Sequence, residues 1–101
     1  MSINNNESSV QMGEAWAAHY RGQNDNALSA FERLANTAPD NIDVNFGYAL
    51  CLKAAGRRAS AAETFEKAKQ LAQTQTSKED DEGVRNRMIL RMIDQHLVTL
   101  R

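Results

Sequence analysis

Apolar residues along this chain recur three and four positions apart, and the pattern is entered twice. Ala27, Leu28, Phe31, Leu34 and Ala35 share one face of a helix beginning near Asp25. The same grid returns 34 residues later: Gly22 as Gly56, Ala27 as Ala61, Phe31 as Phe65 and Leu34 as Ala68. Upstream, Ala15 returns as Ala49 and Ala18 as Leu52. A small–small–aromatic grid at a fixed period marks stacked helical hairpins. No β-branched alternation competes with it.

The punctuation agrees with the period. A first helix runs to about Arg21, capped by Ser8 or Ser9, with Val10, Met12, Ala15, Trp16, His19 and Tyr20 as its larger or inward residues. Gly22 ends it, because glycine takes the left-handed conformation without a side-chain clash. Pro39 closes the second helix, since the residue before a proline is pushed out of helical geometry. Asp40 or Asn41 caps a third helix over about 42–55, presenting Val44, Phe46, Tyr48, Ala49, Leu50 and Leu52. Gly56 closes that one, and a fourth follows over about 58–73 with Ala61, Ala62, Phe65, Ala68, Leu71 and Ala72. Residues 1–8 are polar and aperiodic and read as a disordered tail.

Beyond a polar stretch at 74–82, with Ser77 and Asp80 spaced as a capping box, the grid starts in phase and then fails. Gly83 lies 34 residues after Ala49, but Leu90 stands where the turn glycine is due and Gln95 where the next small residue is due. One long closing helix over about 78–99 is expected, with a stripe of Val84, Met88, Ile89, Met92, Ile93, Leu97 and Leu100. That stripe is broad for a terminal cap. Val84 to Ile93 packing on the second hairpin explains it, or Met92, Ile93, Leu97 and Leu100 meet a second copy of the chain or another partner.

Composition narrows the function class. One hundred and one residues allow one small domain. The single Cys51 excludes an internal disulfide and fits a reducing compartment. No apolar run is long enough to span a membrane, and residues 1–9 lack the parts of a signal peptide, so the cytoplasm is the expected address. A formal charge of −1 disfavours nucleic acid, which needs a concentrated basic footprint. Arg57, Arg58, Arg85, Arg87 and Arg91 read as a solvated flank balanced by Asp80, Asp81, Glu82 and Asp94, or as a docking site for an acidic partner.

Residues with reactive chemistry are sparse. His19 and His96 stand on different helices without a ligand pair at metal spacing. Cys51 has no CxxC partner and reads as a packing residue; a Cys51–His19 pair across neighbouring helices is conceivable, but nothing in the sequence orients it. Gly22 and Gly56 follow helices as turn residues, and no glycine-rich phosphate loop is present. The run Glu79–Glu82 lacks the alternating ligands of a calcium loop and suits the start of a helix. No cofactor, no metal and no turnover are expected.

These residues resemble the tetratricopeptide repeat family. The first unit supplies Ala15, Ala18, Gly22, Ala27, Phe31, Leu34 and Pro39. The second supplies Tyr48, Ala49, Leu52, Gly56, Ala61, Phe65 and Ala68, with Gln73 in place of the closing proline. Glu14 departs from the pattern where a large apolar residue is common, and Trp16 and Tyr20 lie off the usual aromatic positions. The resemblance implies an all-α, right-handed stack of antiparallel hairpins (9–38 and 40–73, then a closing helix over 77–100) whose concave groove binds a peptide or protein segment. Carried over position by position, the groove falls on Ser9, Met12, Trp16, His19 and Tyr20, then Asp43, Phe46, Leu50, Lys53 and Ala54. The irregular first helix leaves a second possibility, in which Trp16 and Tyr20 are buried in the core. Positions that grip a terminal carboxylate in one subtype hold Met12, Trp16, Gly47, Ser77 and Asp81, so that mode is disfavoured.

The expectation is therefore a non-enzymatic protein-interaction module. Self-association through the last helix is the alternative, with a homodimer as its product. An accessory subunit completing a composite enzyme site is a further one.

Overall fold

A computed structural model describes the backbone of residues 5–74 and 81–100 and the side chains of residues 10–74 and 85–100. The described chain is all-α, with five helices: α1 (Asn5–Tyr20), α2 (Asn24–Thr37), α3 (Ile42–Ala54), α4 (Arg58–Thr74) and α5 (Asp81–Leu100). Each packs chiefly on its neighbours in sequence. α1 starts at Asn5, so part of the stretch expected to be a tail is helical. Polar residues suit a first helical turn, whose N–H groups need acceptors, and such a turn carries no apolar period to announce it. The Ser77–Asp80 box and the expected helix start at 78 lie outside the described residues.

The two hairpin turns repeat bond for bond. Gly22 and Gly56 hold φ of 76° and 79°. Gly22 N donates to the His19 carbonyl at 3.1 Å and Gln23 N to Ala18 at 2.9 Å; Gly56 N donates to Lys53 at 3.0 Å and Arg57 N to Leu52 at 2.9 Å. These paired reverse bonds satisfy the last carbonyls of α1 and α3, which would otherwise be left without donors.

The connection between hairpins is tied differently. The Asn41 side chain accepts from Val44 N at 3.0 Å and caps α3. Asn45, buried one turn later, donates Nδ2 to the carbonyls of Pro39 (2.9 Å) and Asn41 (2.8 Å). A buried amide is tolerated because these bonds offset its desolvation. Nearly every face of α3 is covered: Ile42, Val44, Asn45, Phe46, Gly47, Ala49, Cys51 and Leu52 are all buried. α3 is the central helix, and its two sides serve two cores. Val44 and Cys51 join Ala15, Ala27, Phe31 and Leu34. On the other side Phe46, Ala49 and Leu52 join Phe65, Ala68, Ile89, Ile93 and Leu97.

α5 packs on α4 as α3 packs on α2, and so occupies the place of a third hairpin's first helix. The Arg85 guanidinium bonds Asp43 at 2.6 Å near the start of α3, and Lys69 pairs with Asp94 at 3.0 Å. Two expectations for this helix are corrected. Ile93 and Leu97 are 0% and 2% exposed and belong to the chain's own core, because α5 turns them onto α4. They are not available to a second copy. Leu100 is half-buried against the same core, and Met92 is exposed.

Close approach of the hairpins depends on Gly47. A Cβ there would lie 2.5 Å from Cζ of Phe31, and closer still to Cε1. The ring has nowhere to retreat, since it is fully buried and lies edge-on to Trp16 at 5.1 Å. Gly13, 34 residues earlier, has open space at the same point. Two glycine-to-alanine changes at equivalent positions should therefore act in opposite directions. Gly47→Ala should cost about 1–3 kcal/mol by overpacking, whereas Gly13→Ala should stabilise by roughly 0.5–1 kcal/mol through helix propensity. Urea unfolding followed by circular dichroism would measure both.

Candidate functional site

Aromatic rings cross the helices in a row. Tyr20 stacks on Trp16 at 5.9 Å, Trp16 lies 6.5 Å from Phe46, and Phe46 lies 6.1 Å from His96. His96 stacks nearly parallel on Phe65 at 5.0 Å. The row joins α1, α3 and α5, with Phe31 and Phe65 contributed from α2 and α4. Its exposure is graded. Tyr20 is 79% exposed, Trp16 is half-buried against both cores, and Phe46 is only 6% exposed.

The residues singled out for a groove thus divide into two sets. Met12, Trp16 and His19 are half-buried on α1, with Tyr20 open beside them. On α3 the expected residues are already engaged by α5. Asp43 holds Arg85, Phe46 is covered, and Leu50 is half-buried against the second core. Lys53 donates Nζ to His96 Nδ1 and to Thr99 Oγ1, each at 2.9 Å. Arg58 adds a bond from Nη2 to the Thr99 carbonyl at 3.0 Å. Phe46 as an open anchor is therefore corrected: with α5 beside α3, its ring is core.

Sequence reasoning missed Asn45, Gly47 and Arg85 as organising residues. A polar residue between Val44 and Phe46 and a glycine inside a helix were the available signals for the first two. The Arg85–Asp43 pair, between residues 42 positions apart in the chain, left none.

The model of the tetratricopeptide repeat matches residues 18–78, more than half of the chain. The chain belongs to the tetratricopeptide repeat family. No curated protein and no solved structure gave a significant match. The family match spans both turn glycines, both Phe positions and the whole of α2, α3 and α4.

Within this repeat module the Cys51–His19 pair does form, with Sγ 3.8 Å from Nδ1. Its chemistry is that of packing. Burial pushes the Cys51 thiol up to about 11, away from the thiolate that nucleophilic attack requires. Among the described residues no group of three or more His, Cys, Asp or Glu is placed to hold a metal ion, and no helix is long and apolar enough to cross a membrane. A cleft of about 380 Å³ lies away from the aromatic row, lined by Gln11, Glu14, Ala30, Arg33, Leu34, Asn36 and Thr37 between α1 and α2. Glu14 in that lining is the residue that departs from the family pattern.

His96 gives the module a pH dependence. An ammonium can only donate, so Nδ1 of His96 must be unprotonated to receive Lys53. Burial, then the neighbouring Lys53 charge, holds the imidazole below its ordinary value. The folded chain thus binds this proton less readily than the unfolded chain. The contribution of His96 is fully present above about pH 6.5 and is lost as pH falls through the unfolded and then the folded value. Urea midpoints should fall between about pH 7.5 and about pH 5.5, and His96→Gln should flatten that slope.

Proposed function

We propose that this chain is a non-catalytic interaction module that takes a protein segment across the face carried by α1, α3 and α5. One observation carries this reading: Tyr20 is 79% exposed yet held in register by stacking on Trp16. A large aromatic that is both open and pre-ordered loses little entropy on binding, and such residues dominate protein interfaces. Met12, His19 and Leu50 are half-buried on the same helices, α1 and α3. Further along the face the Lys53 and Arg85 contacts keep α5 in place, so the surface is largely formed before any partner arrives.

Trp16 is the single tryptophan, so its emission reports directly on this face. Peptides selected from a random library against the chain should shift that emission. They should bind a Tyr20→Ala variant at least tenfold more weakly, or roughly 1.4 kcal/mol, with an unchanged thermal midpoint. Selected peptides that bind both proteins equally would remove the reading.

A second reading, self-association, rests on the outer face of α5, where Met88, Met92 and Val98 are exposed. Light scattering on the intact chain and on a Met88→Glu, Met92→Glu variant decides it. A dimer that the substitutions dissociate supports it, and a monomer at every concentration excludes it.

A further inference from the structure

α1 and α3 end side by side, with Cys51 Sγ 3.8 Å from His19 Nδ1 near their C-termini. Their last residues and the turns that follow gather four cations at one end of the molecule: Arg21, Lys53, Arg57 and Arg58. None of the four meets a carboxylate among the described residues. Lys53 bonds the neutral His96 ring and the Thr99 hydroxyl, and Arg58 bonds the Thr99 carbonyl. Arg21 and Arg57 are exposed in the α1–α2 and α3–α4 turns and make no side-chain bond among the described residues. Asp25, in the first turn of α2, is an acidic group at that end. By contrast, the two ion pairs formed among the described residues, Arg85–Asp43 and Lys69–Asp94, lie on other parts of the chain. Tyr20 precedes Arg21 directly in the sequence, so the open aromatic lies at the same end of α1 as these cations.

We infer that the segment bound at the Tyr20–Trp16 surface is acidic, with its carboxylates over Arg21 and Arg57 and an apolar side chain on the Tyr20 ring. This rests on the reading of that surface as a protein-binding face. Charge complementarity chooses the occupant. Cations left without partners at a surface steer and orient an anionic ligand, and arginine suits carboxylates because its donors are forked. A nucleic acid is the less fitting anion. The formal charge of the whole chain is −1, so the basic end is local and the rest of the surface is net acidic, which repels a long polyanion.

The test uses the full chain and three fluorescein-labelled probes: a synthetic peptide alternating glutamate with phenylalanine and leucine, its glutamine counterpart, and an oligothymidylate. Anisotropy should show the acidic peptide binding at least about tenfold more tightly than the glutamine form, with affinity falling as salt is raised. An Arg21→Gln, Arg57→Gln variant should lose most of that difference. Both side chains are solvent-exposed and make no side-chain bond among the described residues, so its thermal midpoint should match the parent. Equal binding of the two peptides overturns the inference, as does an unaffected double variant or tighter binding of the oligonucleotide. Failure here is separable from failure of the binding face itself. Library peptides that need Tyr20 but ignore the arginines sink only the acidic partner, whereas acidic peptides indifferent to Tyr20→Ala sink the aromatic anchor.

Discussion

Two helical hairpins can stack only as closely as their backbones permit, and here the limit is set where the Phe31 ring lies on Gly47. The missing Cβ lets α2 and α3 approach until the ring is fully buried. Once Phe31 is seated, its edge is available to Trp16 at 5.1 Å, and Trp16 in turn supports Tyr20. The open aromatic on the surface is thus two contacts removed from a steric fact inside the core. Interiors at crystal-like density transmit such constraints because a displaced ring has no void to enter.

The second constraint is the termination of the stack. α5 supplies α4 with the neighbour that a third hairpin would have provided, and the chain anchors it at both ends of α3 through Asp43–Arg85 and Lys53–His96–Thr99. Exposed ion pairs contribute little individually. Here the burial of Ile89, Ile93 and Leu97 holds the helix, and the polar contacts set its register. The same arrangement decides which parts of the surface stay open. It covers Phe46, leaves Tyr20 alone, and turns Met88, Met92 and Val98 outward.

Most of the architecture was legible from the 34-residue grid, because the features that write it are local or periodic. A glycine at a helix end and a proline between hairpins act within a few residues of themselves, and the aromatic at Phe31 and Phe65 repeats. The start of α1 was missed because polar first turns carry no period. The site was less legible for a different reason. Whether Phe46, Ile93 or Leu97 faces a partner or the core depends on where α5 lies, and that is settled by contacts between residues more than 40 positions apart, such as Asp43 with Arg85. A helical wheel gives an apolar face and does not say what covers it.

Cys51 and Tyr20 show how the same packing produces opposite chemical fates. Both lie near the C-terminal ends of neighbouring helices, and both adjoin His19, at 3.8 Å for the Cys51 sulfur and 5.5 Å between ring centroids for Tyr20. Between α1 and α3 the thiol is desolvated until its pKa rises to about 11, which silences its nucleophilicity. One residue beyond His19, the phenol ring stands in solvent with its face braced on Trp16. Burial removes chemistry from the one residue in this pair able to form a covalent bond, and exposure preserves the one suited to reversible contact. That distribution fits the proposed interaction role better than a catalyst built on Cys51 and His19.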